Sequence, residues 1–122
     1  MNQITMIGNI TRDPELRYTP NGAPVAEFGI AVIKTRDGQG EFVSDFFNCN
    51  AWGKQAENIA ESIKTGNRVI IIGKLYVEKW EDKKNGEKKQ AVKIRVDNLG
   101  AELTYATCKI IKNLNNDKNP QG

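Results

Sequence analysis

Apolar and polar positions alternate along most of this chain, and the alternation changes period only once. Residues 3-QITMIGNI-10 carry apolar side chains at Ile4, Met6, Ile7 and Ile10 and read as a strand in which Gly8 marks a bulge or a bend. Asp13-Pro14 and Pro20-Asn21-Gly22 punctuate the next stretch, the second as a strong turn signal, and Leu16-Arg17-Tyr18 between them read as a short extended piece of a hairpin. From 25 to 35 Ala26, Phe28, Ile30 and Val32 share one face of a strand, with Val25, Glu27, Gly29, Ala31 and Ile33 opposite. A loop with two glycines follows, 36-RDGQGE-41. The strand 43-VSDFFNCNAW-52 sets Val43, Asp45, Phe47, Cys49 and Ala51 against Phe46, Asn48, Asn50 and Trp52, and large rings separated by amides suit a dry core poorly. The period switches to that of a helix at about 54 to 65, where Ala56, Ile59, Ala60 and Ile63 line one side and Gly66 supplies the stop. Strand periodicity returns from Arg68 to about Trp80. Val69, Ile71, Gly73, Leu75 and Val77 form one face there, and Arg68, Ile70, Ile72, Lys74, Tyr76, Glu78 and Trp80 the other. Residues 81-EDKKNGEKKQ-90 form a polar connection centred on Asn85-Gly86, and 91 to 99 a strand with Val92, Ile94 and Val96 inward and Lys93 and Arg95 outward. Residues 101 to 111 fit either a final short strand or a docked extension.

Strand, hairpin-like strands, one helix and two more strands, in that order, match an all-β architecture. It is the OB-fold, a five-stranded Greek-key barrel with one helix between strands 3 and 4. A small αβ domain with an open antiparallel sheet has the same periodicity. The length of 122 residues suits one domain, placed at 1–111, with a polar tail at 112–122 whose composition is that of disorder.

Composition narrows the chemistry by what it lacks. There is no histidine, which removes imidazole bases and His-containing metal sites. Ser44 and Ser62 have no nucleophile-elbow surroundings, and Cys49 and Cys108 are too few for a zinc or iron–sulfur centre. Cys49, inside a strand pattern, reads as a small buried hydrophobe. The acidic pairs Asp13 with Glu15 and Glu81 with Asp82 lie in loops with no converging third ligand, so neither a metal nuclease nor another enzyme is expected, and no cofactor. No run approaches ~20 apolar residues and no basic leader precedes one, so a cytosolic protein without membrane partners is expected.

A net charge of +3 establishes no partner by itself, but its placement is uneven. Basic and acidic side chains balance over residues 1–80, and the whole excess arises in 81–122. Lys79, Lys83, Lys84, Lys88, Lys89 and Lys93 crowd into one hairpin and its flanks. Such runs are most often solubilising, and this one also fits an arm along a phosphate backbone, where each neutralised phosphate releases counterions. The aromatics tip the balance. Phe46, Trp52, Tyr76 and Trp80 fall on the parity opposite the small and branched residues, with Trp80 beside the lysines. Rings among cations are what single-stranded nucleic acid needs, since bases stack while phosphates find positive charge. The competing reading packs these rings in a core or a subunit interface. Ile70 and Ile72 on the Trp80 face point to part of that face being covered by another subunit.

Three segments in order, 2-NQITMIGNITRDPELRYTPNGAPVAEFGIAV-32, 45-DFFNCNAWGKQAENIAESIKTG-66 and 69-VIIIGKLYVEKWEDKKNGEKK-89, closely resemble bacterial-type single-stranded DNA-binding proteins over about residues 2 to 100. The resemblance implies an OB-fold protomer, usually a homotetramer, that wraps single-stranded DNA without base preference in replication, repair and recombination, in the cytoplasm at the nucleoid. It implies base stacking at Phe46, Trp52 and Trp80, the rings the parity selects, with Tyr76 on the same face. A fourth family aromatic falls at Arg36, where a guanidinium plane can still stack. Lys54, Lys64 and Lys79 match basic family positions suited to phosphates, and Lys74, Lys83, Lys84, Lys88, Lys89 and Lys93 extend the expected backbone contacts. Asn48 stands where the family often carries a basic residue, which argues against a phosphate contact there. Tyr18 is expected to support structure. Housekeeping relatives end in a long linker and an acidic tip with an apolar pair, whereas this sequence ends at Asn119-Pro120-Gln121-Gly122 with one acid, Asp117, in its tail. A domain cut from a longer chain and a short paralogue of phage, plasmid or competence type both fit that ending, and recruitment of replication proteins is not expected. The alternatives are a primosomal or RNA-binding relative of the same fold and a structural oligomerisation module.

Overall fold

The structure, a computed structural model, describes residues 1–36 and 38–114, with the backbone alone at Thr35 and Arg36. Its elements are β1 (Ile4–Tyr18), β2 (Pro24–Arg36), β3 (Phe42–Trp52), α1 (Lys54–Ser62), β4 (Arg68–Glu81) and β5 (Lys88–Ala101). The strands close into a barrel in the order β1-β2-β3-β5-β4, with β3 and β5 parallel and every other pair antiparallel. This is the expected OB-fold arrangement. The open sheet falls away because β1 pairs with both β2 and β4, and β5 with both β3 and β4.

The alternation in the sequence becomes the inside and outside of the barrel. Phe28 and Ile30 of β2, Cys49 and Ala51 of β3, Val69 and Ile71 of β4, and Ile94 and Val96 of β5 fill the interior. Each large aliphatic or aromatic side chain so buried contributes roughly 1.5–3 kcal/mol. Helix α1 packs against β1, β2 and β3 and adds Ile59 to that core. The chain turns from β3 into α1 at Gly53, whose φ of 71° and ψ of −150° only glycine adopts without strain. The Gly53 N–H donates to Pro24 O at 3.0 Å, which fixes the end of β3 and with it Trp52.

Several boundaries differ from the expected ones. Strand β1 runs on through Asp13-Pro14 to Tyr18, because register shifts between Ile10 and Arg12 and between Arg12 and Glu15 take the proline out of the regular ladder. Gly8 marks no bulge; it lies in regular pairing with Val69, and a Cβ there would come 2.7 Å from Ala31 O. Helix α1 ends at Ser62 rather than near 65. Ile63 is already extended, so that its side chain stays buried while its N–H closes onto Ile59 O at 2.9 Å. Gly66, at φ 89°, instead serves the following turn, where its N–H donates to Ile10 O at 2.8 Å.

The polar connection expected at 81–90 is shorter than that, because Glu81 and Lys88, Lys89 and Gln90 are strand. Glu81 pairs with Lys88 and Trp80 with Lys89, and the turn is 82–87, closed by Asp82 N–H on Glu87 O at 2.7 Å. Residues 102–114 form a docked extension. Glu102 N–H donates to Arg68 O at 2.9 Å, the Arg68 and Glu102 side chains pair at 2.6 Å, and Asn58 and Asn113 exchange side-chain hydrogen bonds at 3.0 and 3.3 Å. Residues 115–122 of the expected tail lie outside the described residues.

Candidate nucleic-acid interface

Because side chains alternate along each strand, cross-strand partners on the outer surface form rows. Arg12 of β1, Gly29 of β2, Asn48 of β3, Lys93 of β5 and Tyr76 of β4 are successive partners and make one row across the sheet. Glu27, Asn50, Arg95 and Lys74 make the next, and Trp52 beside Val25 lies one step beyond. On the other side of the central row stand Phe46 beside Ala31, Glu78 beside Ala91, and then Trp80 beside Lys89. Phe46 and Trp52 are separated by six residues of β3, about 20 Å at ~3.3 Å per residue. Phe46 is 72%, Trp52 40% and Trp80 44% exposed, so the three expected rings share one surface and remain open on it.

Tyr76 lies on that surface too, half-buried, and its hydroxyl is already occupied. Asn50 Nδ2–H donates to it, and the Asn50 Oδ1 accepts Trp52 Nε1–H at 3.3 Å. Asn50 is thereby the one polar residue among the described residues that is buried, and it ties two rings to one amide. The Arg95 guanidinium lies 5.8 Å from the Trp52 ring centroid, a cation–π contact on the ring's other attachment.

The expected cations divide by their partners. Lys54 pairs with Glu57 at 3.6 Å, Lys74 with Asp97 at 2.7 Å, Lys89 with Asp82 at 3.2 Å and Lys93 with Glu78 at 3.0 Å. Lys79, Lys83, Lys84 and Lys88 hold no ion pair among the described residues. Lys64 lies in the turn after α1, its Nζ 3.5 Å from Ala60 O, and is not on the β3–β5–β4 strands. The Arg36 side chain lies outside the described residues. Sequence reasoning gave Arg12 no place on this surface, and it put Asn50 on the Phe46–Trp52 face and Arg95 outward without assigning either a role. The outward parity of Arg95 next to Lys93 was available as a signal; Arg12 and Asn50 depend on partners 36 and 26 residues away.

Neighbouring groups hold the surface in place. Tyr18 O–H donates to Glu57 Oε2 at 3.0 Å, fastening the end of β1 to α1 and raising the phenol above its usual value. Asp13 accepts from the Thr65 N–H and hydroxyl, both at 2.8 Å, and these bonds hold its carboxyl below the usual range. Burial beneath the surface pushes the Cys49 thiol up to about 12, against a smaller opposing effect of the Arg12 charge. Among the described residues no group of three His, Cys, Asp or Glu side chains gathers as a metal site, and no helix is long and apolar enough to cross a membrane.

A closed barrel with rings and cations gathered on one sheet surface is the build of an oligomer-binding OB-fold domain. Residues 1–101 match the Single-strand binding protein family, and the chain belongs to that family, one of binding modules rather than enzymes. It is 44% identical over 116 residues to a single-stranded DNA-binding protein of Mycolicibacterium smegmatis, covering 89% of this chain and 68% of the relative. It is 41% identical over 124 residues to one of Paenarthrobacter aurescens, covering 98% and 72%. Single-stranded DNA-binding protein A of Bacillus subtilis is 46% identical over 83 residues, covering 67% and 48%.

Proposed function

We propose that this protein binds and protects single-stranded DNA without marked sequence preference, as a cytoplasmic, nucleoid-associated homotetramer acting in replication, repair and recombination. The observation that carries the reading is the exposure of Phe46, Trp52 and Trp80 on one sheet surface continuous with the lysine-bearing β4–β5 hairpin. The relatives, which are single-stranded DNA-binding proteins by name, support the choice of DNA. Bases stack on the three rings, each worth ~1–3 kcal/mol and indifferent to base identity. Lys79, Lys83, Lys84 and Lys88 take phosphates directly, while Lys54, Lys74, Lys89 and Lys93 must exchange a resident carboxylate for one. No bond is made or broken. Duplex is rejected because its bases are already stacked and paired. The tetramer is supported by exposed Ile7, Ile33 and Ile70 on the outer surface of β1, β2 and β4.

The test is tryptophan fluorescence during titration with a thymidine homopolymer at several salt concentrations. Saturable quenching, little response to duplex and a steep loss of affinity with salt are expected. Trp80→Ala should lower affinity about five- to a hundredfold, the equivalent of ~1–3 kcal/mol, with melting unchanged. Absence of binding at low salt by an independent assay overturns the reading.

A further inference from the structure

Arg12 lies within the first family-like segment, but no role was expected of it there, and its placement is specific. Register shifts on both sides of it in β1 bring it opposite Gly29. A Cβ at Gly29 would fall 2.5 Å from Thr11 Oγ1 and 2.8 Å from Arg12 Nη1, so the missing methyl leaves the space that the Thr11 hydroxyl and the tip of the guanidinium share. From that notch the side chain crosses β2, and its Nη1–H donates to Asn48 Oδ1 on β3 at 3.0 Å. The position expected to be uncharged because it is Asn48 is therefore supplied with a cation from another strand.

The charge is also unspent. Arg17 pairs with Glu27, Arg68 with Glu102, and Arg95 lies over Trp52. Arg12 is exposed and meets no carboxylate among the described residues, leaving most of the guanidinium's five donors available. Between the rings of Phe46 and Trp52 the outer positions of β3 are Asn48 and Asn50, so β3 itself offers no ring to a base there, and the half-buried Tyr76 of the same row stands two strands away on β4. A strand whose bases stack on the flanking rings must carry its phosphates across that strip, and a guanidinium fork matches phosphate oxygens.

We propose that Arg12 is a phosphate-contacting residue of the single-stranded DNA surface, seated by the Gly29 notch and aimed by Asn48. This rests on the function proposed above. The experiment is the same thymidine titration, run across salt concentrations on the intact chain, Arg12→Gln, Gly29→Ala, the double variant and Lys109→Gln, with circular dichroism to verify folding. Lys109→Gln removes the same charge from the docked extension. Arg12→Gln should weaken binding roughly fivefold and reduce the magnitude of the salt slope by about 0.7, the share of one phosphate on a single strand. Lys109→Gln should leave that slope unchanged. Gly29→Ala should weaken binding when Arg12 is present and have little effect when Arg12 is already Gln, since both changes then remove one interaction. Wild-type affinity and slope in Arg12→Gln overturn the contact. An equal loss from Gly29→Ala in both backgrounds overturns the notch. Failure of the unsubstituted protein to bind overturns the proposed function itself, an outcome distinct from either.

Discussion

Cys49 and Cys108 are the same chemical group in opposite surroundings. Cys49 is buried and its thiol is pushed up to about 12 by loss of solvent, whereas Cys108 is exposed on the docked extension. A thiol reagent should therefore modify Cys108 readily in the native protein and reach Cys49 only after denaturant is added; rapid modification of both would contradict the packing. Asp13 gives the residue-scale prediction for acid. Hydrogen bonds from Thr65 hold its carboxyl below the ordinary 3.8, so the unfolded chain takes up the proton first. The stabilisation is complete above the unfolded value, near pH 4, and is lost as pH falls through the folded value. Glu102, held down by Thr104 and then Arg68, acts in the same direction. The melting temperature should fall below about pH 4, and fall less steeply in Asp13→Asn. A pH profile of the variant that parallels the wild type would remove Asp13 from the account.

At the scale of elements, the β4–β5 pair does two jobs with one ribbon, closing the barrel at its base and carrying Trp80 and the lysines at its end. The base depends on Gly73, opposite the register shift where β5 carries the extra residue Asp97, and where a Cβ would lie 2.3 Å from the backbone oxygen of Arg95. Backbone cannot step aside as a flexible side chain can, so Gly73→Ala should destabilise by roughly 2 kcal/mol or more, read as a lower denaturant midpoint. The same ribbon shows where sequence reading runs out. Alternation placed Val69, Ile71 and Ile94 inside and Phe46, Trp52 and Trp80 outside, because burial of one face imposes the period. Beyond the barrel neither face of the ribbon is buried, no period is imposed, and Lys88, Lys89 and Gln90 looked like loop although they are strand. Arg12 and Asn50 were hidden for another reason: their roles are set by partners on other strands, and register across a barrel is not written in local spacing. Helix α1 lost its last turn to the burial of Ile63, a tertiary demand that overrode a regular apolar stripe.

The whole molecule leaves apolar surface that a lone protomer would expose to water. Strand β2 takes up β1 only from Asn9 onward, and around that opening Ile7, Ile33 and Ile70 are exposed, Ile7 directly opposite Ile70. The docked extension adds Leu103, Tyr105, Ile110 and Ile111, all exposed. Two such regions on one small barrel fit the proposed tetramer, since two different self-contacts are what a closed tetramer with dihedral symmetry requires. The surface proposed to bind DNA is centred on β3, β5 and β4, with Arg12 of β1 at its edge, and includes none of these residues, so association and binding should be separable by substitution. Sedimentation of the intact chain should give a tetramer. Ile7→Asp, which sets a charge into the β1–β4 patch, should yield a smaller species that still shows tryptophan quenching by thymidine homopolymer, with weaker apparent affinity because fewer linked sites hold one strand. A protein that sediments as a monomer at micromolar concentration would refute the tetramer while leaving the stacking surface intact, and loss of all quenching in a folded Ile7→Asp would show that one protomer does not carry a complete site.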